Sequence, residues 1–380
     1  MDFTFTEEQQ MLRASLRRFL ADRYPFDQRL AASRSANGLP SGVWAALANE
    51  LGLLCVGLPE DHGGLGGGAV DHMIIMEELG RVVALEPYLE TIVIGAELLS
   101  RCGGTTAQGV LAGVVSGEKL LANAFAEAGT ELDLSHIATR AERKGEGWRL
   151  SGRKTLVTAA PWASQLLIAA RTSGASGDAS GISLFLVDPV LPGIALDCYA
   201  TVDGRRAADI AFDGVHLAAD ALLGEEGKAL PLLDEVTDRA IAALCAEAVG
   251  AMGHLLEATV AYTSERKQFG KDLASFQVVR HRMADMLIEI ELATSAVYMS
   301  TVRLDGPAQA RKLAASAAKA VVCAAARFVG QSAVQLHGAM GMTDELDIGH
   351  YFKRLMVISA VFGDADAHCA RYLSLSVDKG

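Results

Sequence analysis

Tyr262-Thr-Ser-Glu-Arg-Lys-Gln-Phe-Gly270 is the stretch on which the fold prediction for this sequence depends. It follows a long, mostly apolar pattern with helical spacing, and we expect the helix to end at Gly270, because glycine commonly ends helices. Arg266 carries a forked set of donors that matches phosphate oxygens, and Phe269 adds a flat ring close by in the sequence. The segment therefore predicts a grip on a diphosphate. A basic helix terminus that binds nothing, favoured by the helix dipole, is the alternative.

The composition is that of a globular, mainly helical protein. The chain has 380 residues, of which 51% are hydrophobic and 21% charged, and this length predicts two or three domains rather than one core. Ala, Leu and Val dominate the apolar residues, and Ala and Leu favour helices. The net charge of −12 argues against a nucleic-acid partner, because phosphate binding requires a basic surface.

The cysteines and the apolar runs indicate where the protein is found. The six cysteines are scattered, with no paired or metal-ligand spacing, which predicts free thiols in the reducing cytoplasm and no metal site. The N-terminal residues lack the basic and apolar regions of a secretory signal. No uncharged apolar run approaches the roughly 18 residues of a membrane helix, so no membrane span is expected.

Three regions follow one another along the chain. Helical periodicity, beginning with a capping-box pattern at Thr6–Gln9, runs through roughly the first hundred residues. Short apolar runs bounded by Gly, Ser, Pro and Asp then predict strands. Three long helical patterns follow, over Asp234–Lys267, Ser275–Asp305 and Pro307–Gly338. We therefore predict a mainly α protein with a helical domain at 1–118, a β-barrel-like middle domain at 119–223 and a four-helix bundle at 224–380.

Four further segments contain recognisable sequence patterns. A glycine-rich loop covers Leu53–Gly68, and a second glycine-containing turn covers Gln335-Leu-His-Gly-Ala-Met-Gly341. Between them lie Ala124–Asp133 and Gly152-Arg-Lys-Thr-Leu-Val-Thr158. Taken singly, each segment is compatible with an ordinary turn or strand, and Thr158 alone would be interpreted as a simple strand threonine.

In their order and spacing, these segments resemble the acyl-CoA dehydrogenase family over essentially the whole chain. Glu265-Arg-Lys-Gln-Phe-Gly270 is similar to the family's Glu-Arg-x-x-Phe-Gly, and 335–341 is similar to its Gln-x-x-Gly-Gly-x-Gly. The resemblance implies that a β domain separates two helical domains and that FAD lies between the β domain and the C-terminal bundle. It also implies a tetramer, an acyl-CoA substrate and an acceptor like electron-transfer flavoprotein.

The resemblance implies two groups of FAD contacts. Contacts to the diphosphate and ADP half, some of them made across a subunit interface, are assigned to Arg266, Phe269, Gln335 and Gly338, and a further flavin-side contact is assigned to Gln277. Contacts to the flavin ring are assigned to Phe125, Ala126, Leu156 and Thr158, with Thr158 donating to the reactive edge. Ala126 replaces the usual threonine, Leu156 replaces a common tryptophan, and Leu132 replaces a serine that normally helps to hold the acyl-CoA.

The family's proton-abstracting residue has no counterpart at either usual position. The reaction needs a carboxylate in a dry pocket, where desolvation raises its pKa towards the working pH. The position on the late loop holds Phe362, and the alternative position on the long helix holds Ala240. Asp238 would need a change of helical register to serve. Asp364 is the nearest late acid, but Asp364 and Asp366 also fall where family members contact the adenosine side of FAD, or where a helix is capped.

The sequence leaves three functional hypotheses. The first is FAD-dependent α,β-dehydrogenation of an acyl-CoA within a homo- or hetero-tetramer, with a paralogous partner supplying the missing glutamate. The altered ring contacts at Ala126 and Leu156 make an oxygen-using flavoprotein, either an acyl-CoA oxidase or a flavin monooxygenase, the second. A structural subunit without flavin is the third, and the retained Arg266, Phe269 and Gln335 argue against it.

Overall fold

The computed structural model describes residues 4–130 and 133–377, and the chain divides into two compact units. We call one the bundle unit, which consists of Met1–Ala31, Ala69–Ala84 and Ile241–Gly380. We call the other the sheet unit, which consists of Ala32–Gly68 and Leu85–Ala240. Each unit draws on several parts of the chain, so elements that are distant in sequence pack together within it.

Helices precede and follow the central strands in the sequence, as predicted. The first group is α1 (Glu7–Arg23), α2 (Phe26–Arg34), α3 (Val43–Asn49), α4 (Ala69–Gly80), α5 (Glu97–Cys102) and α6 (Thr105–Val115). The second is α7 (Leu230–Glu265), α8 (Gln277–Thr301), α9 (Ala308–His337), α10 (Ile348–Ala360) and α11 (Ala365–Val377). A π-helical segment, Leu89–Ala96, precedes α5. The capping box at Thr6 and the three long helices α7–α9 are confirmed.

The sheet unit is built on one predominantly antiparallel sheet. Its strands are β1 (Leu121–Ala124), β2 (Arg140–Lys144), β3 (Gly147–Thr158), β4 (Gln165–Arg171), β5 (Ile182–Val187), β6 (Ile194–Ala200), β7 (Arg206–Leu217) and β8 (Leu222–Leu223). They lie in the order β6-β7-β3-β2-β4-β5-β8, and β1 pairs in parallel with β4. Trp148, Phe185 and Phe212 lie in its core. The predicted fold class, a sheet domain between helical regions of the sequence, is confirmed, while the domain boundaries stay predictions.

The end of α7 differs from the prediction. The helix ends at Glu265, and the chain continues as a hairpin of β9 (Lys267–Gln268) and β10 (Lys271–Asp272). Phe269 and Gly270 form its two-residue turn, with φ angles of 55° and 81°. Two positive φ angles are typical of the turns whose twist matches that of a hairpin. The prediction that Gly270 ends the helix is therefore wrong, because this glycine serves a strand turn.

Buried side chains hold the loop between α10 and α11. Lys319 on α9 is fully buried, and its Nζ donates to Val361 O at 2.8 Å and to Gly363 O at 2.6 Å. His368 Nε2 donates to Phe362 O at 2.8 Å. Phe362 and Gly363 are both left-handed, with φ angles of 57° and 89°. Three consecutive carbonyls are thus held in place, and they fix the backbone that carries residue 362.

Two helical stretches, Leu230–Glu265 and Ala308–Met342, are long and apolar enough to cross a membrane by length and composition alone. In their most apolar windows, 78% and 56% of the residues are buried inside the protein. Core helices of soluble proteins share these properties, so the two stretches are weak evidence for membrane insertion and are consistent with a soluble fold.

Gly250 allows α7 to cross α4 at close range, and we expect Gly250→Ala to destabilise the bundle unit. A Cβ at Gly250 would lie 1.9 Å from Glu77 O, a backbone atom that cannot rotate away. Overpacking of this kind typically costs about 1–3 kcal/mol. The measurement is the free energy of unfolding in urea. Gly253→Ala is the matched control in the same helix, because its Cβ would lie 3.4 Å from the flexible Arg81 Nη1, and alanine is favoured over glycine within helices. Equal stability of the two variants would contradict the close crossing.

His368 is expected to make the protein less stable in acid. Burial lowers the pKa of His368 to about 4 from an ordinary value of 6.5, and its Nδ1 is buried without a hydrogen-bond partner. Between those values the unfolded chain binds the proton more readily, so the free energy of unfolding falls as the pH drops from 6.5 towards 4. At pH 4.5 the loss relative to pH 7 is about 2 kcal/mol.

Urea unfolding of His368→Gln at pH 7 and pH 4.5 tests this expectation. The amide can still donate to Phe362 O but does not titrate, so the variant should lose about 2 kcal/mol less than the native protein on acidification. His216→Gln, an exposed histidine on β7, should leave the pH dependence unchanged. If His368→Gln and the native protein lose the same stability, His368 is not the residue responsible.

Candidate flavin site

The hairpin after α7 presents the two residues predicted to grip the diphosphate. Arg266 N donates to Tyr262 O at 2.9 Å, and Arg266 O accepts from Leu273 N at 2.9 Å. The residue therefore lies at the base of the hairpin, with its side chain exposed. Phe269, in the turn, is 88% exposed, and its ring meets the edge of Phe276 at a centroid distance of 6.2 Å. Both side chains are accessible to a ligand or to another chain.

Ring stacking joins the last turns of α7, just before this hairpin, to the glycine-containing turn at 335–341. The ring of Tyr262 lies 4.4 Å from that of His337 and nearly parallel to it. His337 is buried, its Nδ1 donates to Ala333 O at 2.8 Å, and burial lowers its pKa. Gln335 is exposed in the last turn of α9, and Gly338 follows the helix with a φ of 63°. Two segments predicted to bind the same half of FAD are thus brought together in the bundle unit.

Gln277 is the first residue of α8, and its side chain is exposed. One short turn, Leu273–Ser275, separates it from β10. The first backbone N–H groups of a helix have no acceptor within the helix, which makes such an end suitable for anions. The exposed position of Gln277 is compatible with the flavin-side contact that the resemblance implies for it.

In the sheet unit, the segment after β1 lies against β3. Phe125 is buried and Ala126 is exposed. Ala126 O accepts from Thr155 N at 3.1 Å. Lys154 Nζ, fully buried, donates to Phe125 O at 3.1 Å and to Glu127 Oε1 at 2.7 Å. The two segments predicted to contact the flavin ring are therefore neighbours joined by backbone and side-chain bonds.

A bulge in β3 exposes Leu156 beside Thr158. Leu156 has a φ of 50° and is 51% exposed, at a point where the pairing of β3 with β7 shifts register. Asp209 Oδ1 accepts from Leu156 N at 3.0 Å and from Tyr199 Oη at 2.9 Å, and burial together with Asp209 raises the pKa of Tyr199 to about 12. Thr158 is half-buried and pairs with Ala207. A residue held in this strained conformation is often found at a functional site.

Three residues that position these segments were not identified from the sequence. Lys154 and Glu127 lie inside the quoted motifs, but their pairing across 27 positions is visible only in the structure. Asp209 lies on β7, outside every motif.

Leu132, where the resemblance places a serine that helps to hold acyl-CoA, lies outside the described residues.

Neither position for a base carries an acid. Ala240 is fully buried in α7, and Phe362 is half-buried in the loop before α11. Asp238 is also fully buried, but α7 is continuous through this region. Two residues along a helix correspond to a rotation of about 200°, so Asp238 points away from the direction of Ala240. The register change that Asp238 would need is absent from the described helix.

Asp364 caps α11. Its Oδ1 accepts from Ala367 N at 2.9 Å, and its side chain is exposed rather than enclosed in a dry pocket. Asp364 and Asp366 line a cleft of about 380 Å³ together with Arg327 and Gln331. The cap is one of the roles anticipated for Asp364. The cleft offers both donors and carboxylates, a combination suited to hydroxyl and phosphate groups. Nothing here favours Asp364 as a base, and that role stays a prediction.

His254 pairs with an acid and is engaged in packing. His254 Nε2 lies 2.6 Å from Asp347 Oδ2, and its ring stacks on that of Tyr351 at 4.2 Å. Across residues 4–130 and 133–377, no group of three or more His, Cys, Asp and Glu side chains is placed to hold a metal ion.

Models of three domains match the chain in succession. They are the acyl-CoA dehydrogenase N-terminal domain at residues 6–118, the middle domain at 122–215 and the C-terminal domain at 237–372. The chain is also 32% identical to (2S)-methylsuccinyl-CoA dehydrogenase of Cereibacter sphaeroides, over 95% of this chain and 68% of that protein.

Two solved structures share the fold over nearly their full length. The Tcur3481-Tcur3483 steroid ACAD, solved as a variant, is 32% identical, with a TM-score of 0.88 over 98% of both chains. The ChsE4-ChsE5 complex from Mycobacterium tuberculosis is 25% identical, with a TM-score of 0.89 over 100% of both chains. Since the three domain models and a relative above 30% identity agree, this chain belongs to the acyl-CoA dehydrogenase family of oxidoreductases.

Proposed function

We propose that this chain is an FAD-binding subunit for α,β-dehydrogenation of an acyl-CoA thioester and that a partner chain supplies the proton-abstracting glutamate. The observation that supports this best is a contrast within one chain. The side chains of Arg266, Phe269, Gln277 and Gln335, which are assigned to FAD, are exposed, whereas both positions for the base are apolar, at Ala240 and Phe362. Flavin binding and proton abstraction are therefore assigned to different chains.

The bundle unit has the donors that the diphosphate and ADP half of FAD require. Arg266 offers a forked charged donor to phosphate, and Phe269 offers a ring. Both lie at the exposed hairpin, which would reach the FAD bound by a neighbouring subunit. Gln335 and Gly338 follow at the turn that Tyr262 joins to this hairpin. On the adenosine side, the cleft with Asp364 and Asp366 provides acceptors for ribose hydroxyls. These residues fit the group.

The sheet unit supplies the residues proposed to contact the flavin ring. With FAD bound, Thr158 would donate to the reactive edge of the ring, Phe125 and Ala126 would line the ring, and Leu156 would take the covering position. When bound, FAD accepts the β-hydride of the acyl group. The chain's own residues bind and orient the ring and limit the access of water. A carboxylate from the partner removes the α-proton.

The partner is a chain of the same fold that carries the glutamate. The ChsE4-ChsE5 structure is named as a complex of two different chains, and a pairing of this type would complete a tetramer here. We further propose an acceptor like electron-transfer flavoprotein and a cytoplasmic location, in keeping with the free cysteines among the described residues.

We expect Arg266→Ala to weaken FAD binding at least tenfold, because a bidentate charged contact to phosphate is lost. Titration of the FAD-free protein with FAD, followed by flavin fluorescence, measures this. Arg303→Ala removes an exposed arginine at the end of α8 and should leave the affinity unchanged. If the native protein and Arg266→Ala bind FAD with equal affinity, the hairpin does not contribute to FAD binding.

Phe362→Glu should give the chain a dehydrogenase activity of its own. The loop backbone is fixed by Lys319 and His368, so a carboxylate placed there takes the position of the missing base. A positioned base contributes about 10²–10⁴-fold, and we expect at least a hundredfold faster anaerobic bleaching of the flavin by acyl-CoA. Phe362→Gln is similar in size but takes no proton, and it should stay inactive.

The native chain decides between the alternatives in the same assay. A normal desaturation rate without a partner would contradict the shared-site proposal. Rapid reoxidation by air with peroxide or a hydroxylated product would indicate the oxygen-using alternative. A colourless preparation that takes up no FAD would indicate a structural subunit.

A further inference from the structure

One carboxylate joins three stretches of the sheet unit. Glu127 Oε1 accepts from Lys154 Nζ at 2.7 Å and from Thr139 N at 3.0 Å, and Glu127 Oε2 accepts from Ala138 N at 2.8 Å. Lys154 Nζ also donates to Phe125 O at 3.1 Å. The segment after β1, the residues before β2 and strand β3 therefore meet at a single ion pair.

This pair is removed from solvent. The Lys154 side chain is 0% exposed and that of Glu127 is 9% exposed. Burial lowers the pKa of Lys154, with Glu127 opposing the shift. Burial also raises the pKa of Glu127, but the Lys154 charge and the amide hydrogen bonds hold it below its ordinary value overall. Buried charges are tolerated only with well-placed partners, so the pair constrains the backbone atoms around it.

The constraint extends to the two ring-side positions. Thr155, next to Lys154 in β3, donates its N–H to Ala126 O at 3.1 Å. Thr158 lies on the same strand, beyond the bulge at Leu156. If Lys154 lost its acceptors, segment 125–130 and the bulged end of β3 would no longer be tied to each other by this pair.

We propose that Lys154 and Glu127 are positioning residues that hold Ala126 and Thr158 in one fixed arrangement for the flavin ring. The proposal rests on FAD binding by this chain. Both side chains act through the backbone of segment 125–130 and of β3. Their role is distinct from that of Thr158, which donates to the ring itself.

Lys154→Met tests the coupling first in the FAD-free protein. Amide hydrogen exchange at Ala138, Thr139 and Thr155 should accelerate at least tenfold, because their acceptors lose the anchoring charge. Exchange in the β4–β5 pairing should stay unchanged. Lys144→Met, an exposed lysine at the end of β2, is the matched control and should alter none of these rates.

FAD binding is measured next, by titration and by the flavin absorption spectrum. Lys154→Met should weaken binding at least tenfold and change the spectrum of any bound flavin, because the ring contacts no longer hold one geometry. The double variant Glu127→Gln with Lys154→Met removes both charges, so its stability should return towards that of the native protein. Its FAD affinity should stay low, since Phe125 O still lacks its donor.

The double variant separates positioning from simple stability. If its FAD affinity recovers together with its melting temperature, the pair is only structural and the proposal is overturned. Unchanged exchange at Ala138, Thr139 and Thr155 in Lys154→Met would overturn it as well. If the native protein binds no FAD, the proposed function fails, whereas hydrogen exchange still decides whether the coupling exists.

Discussion

A buried ammonium group must find acceptors within the protein, and this constraint shapes both regions assigned to the flavin chemistry. Lys154 and Lys319 are each 0% exposed. Lys154 is satisfied by Phe125 O and Glu127, and Lys319 by the carbonyls of Val361 and Gly363. An unpaired buried charge costs several kcal/mol, so in each case irregular backbone is held at a fixed distance from a helix or strand. The carbonyl groups of Phe125, Val361 and Gly363 are thereby fixed in position.

Long apolar periodicity made α7, α8 and α9 predictable nearly to their ends, because burial against other helices requires that spacing. The hairpin at 267–272 was not predicted, since a glycine after a helical pattern is compatible with both a helix end and a strand turn. What distinguishes them here is the left-handed Phe269 before Gly270. A bulky residue in that conformation is uncommon, and the sequence alone contained no warning of it.

Motif spacing identified the site segments but not the contacts that join them. Tyr262 and His337 stack across 75 positions, and Asp209 holds Leu156 from a neighbouring strand. Such pairs depend on how helices and strands pack, which one sequence does not reveal. The sequence alone shows that positions 240 and 362 hold apolar residues. The structure adds that Asp238, on a continuous helix, does not replace either of them.

The geometry around Phe362 shows what fixes the loop that carries this residue. A left-handed non-glycine residue costs about 1–2 kcal/mol, and the loop is held by bonds to carbonyls rather than to the side chain of residue 362. A change of that side chain therefore leaves the backbone in place. The loop is thus held in one conformation although it carries no acid at position 362. The strain of the loop is therefore offset by the bonds from Lys319 and His368, which specify its backbone whatever side chain stands at position 362.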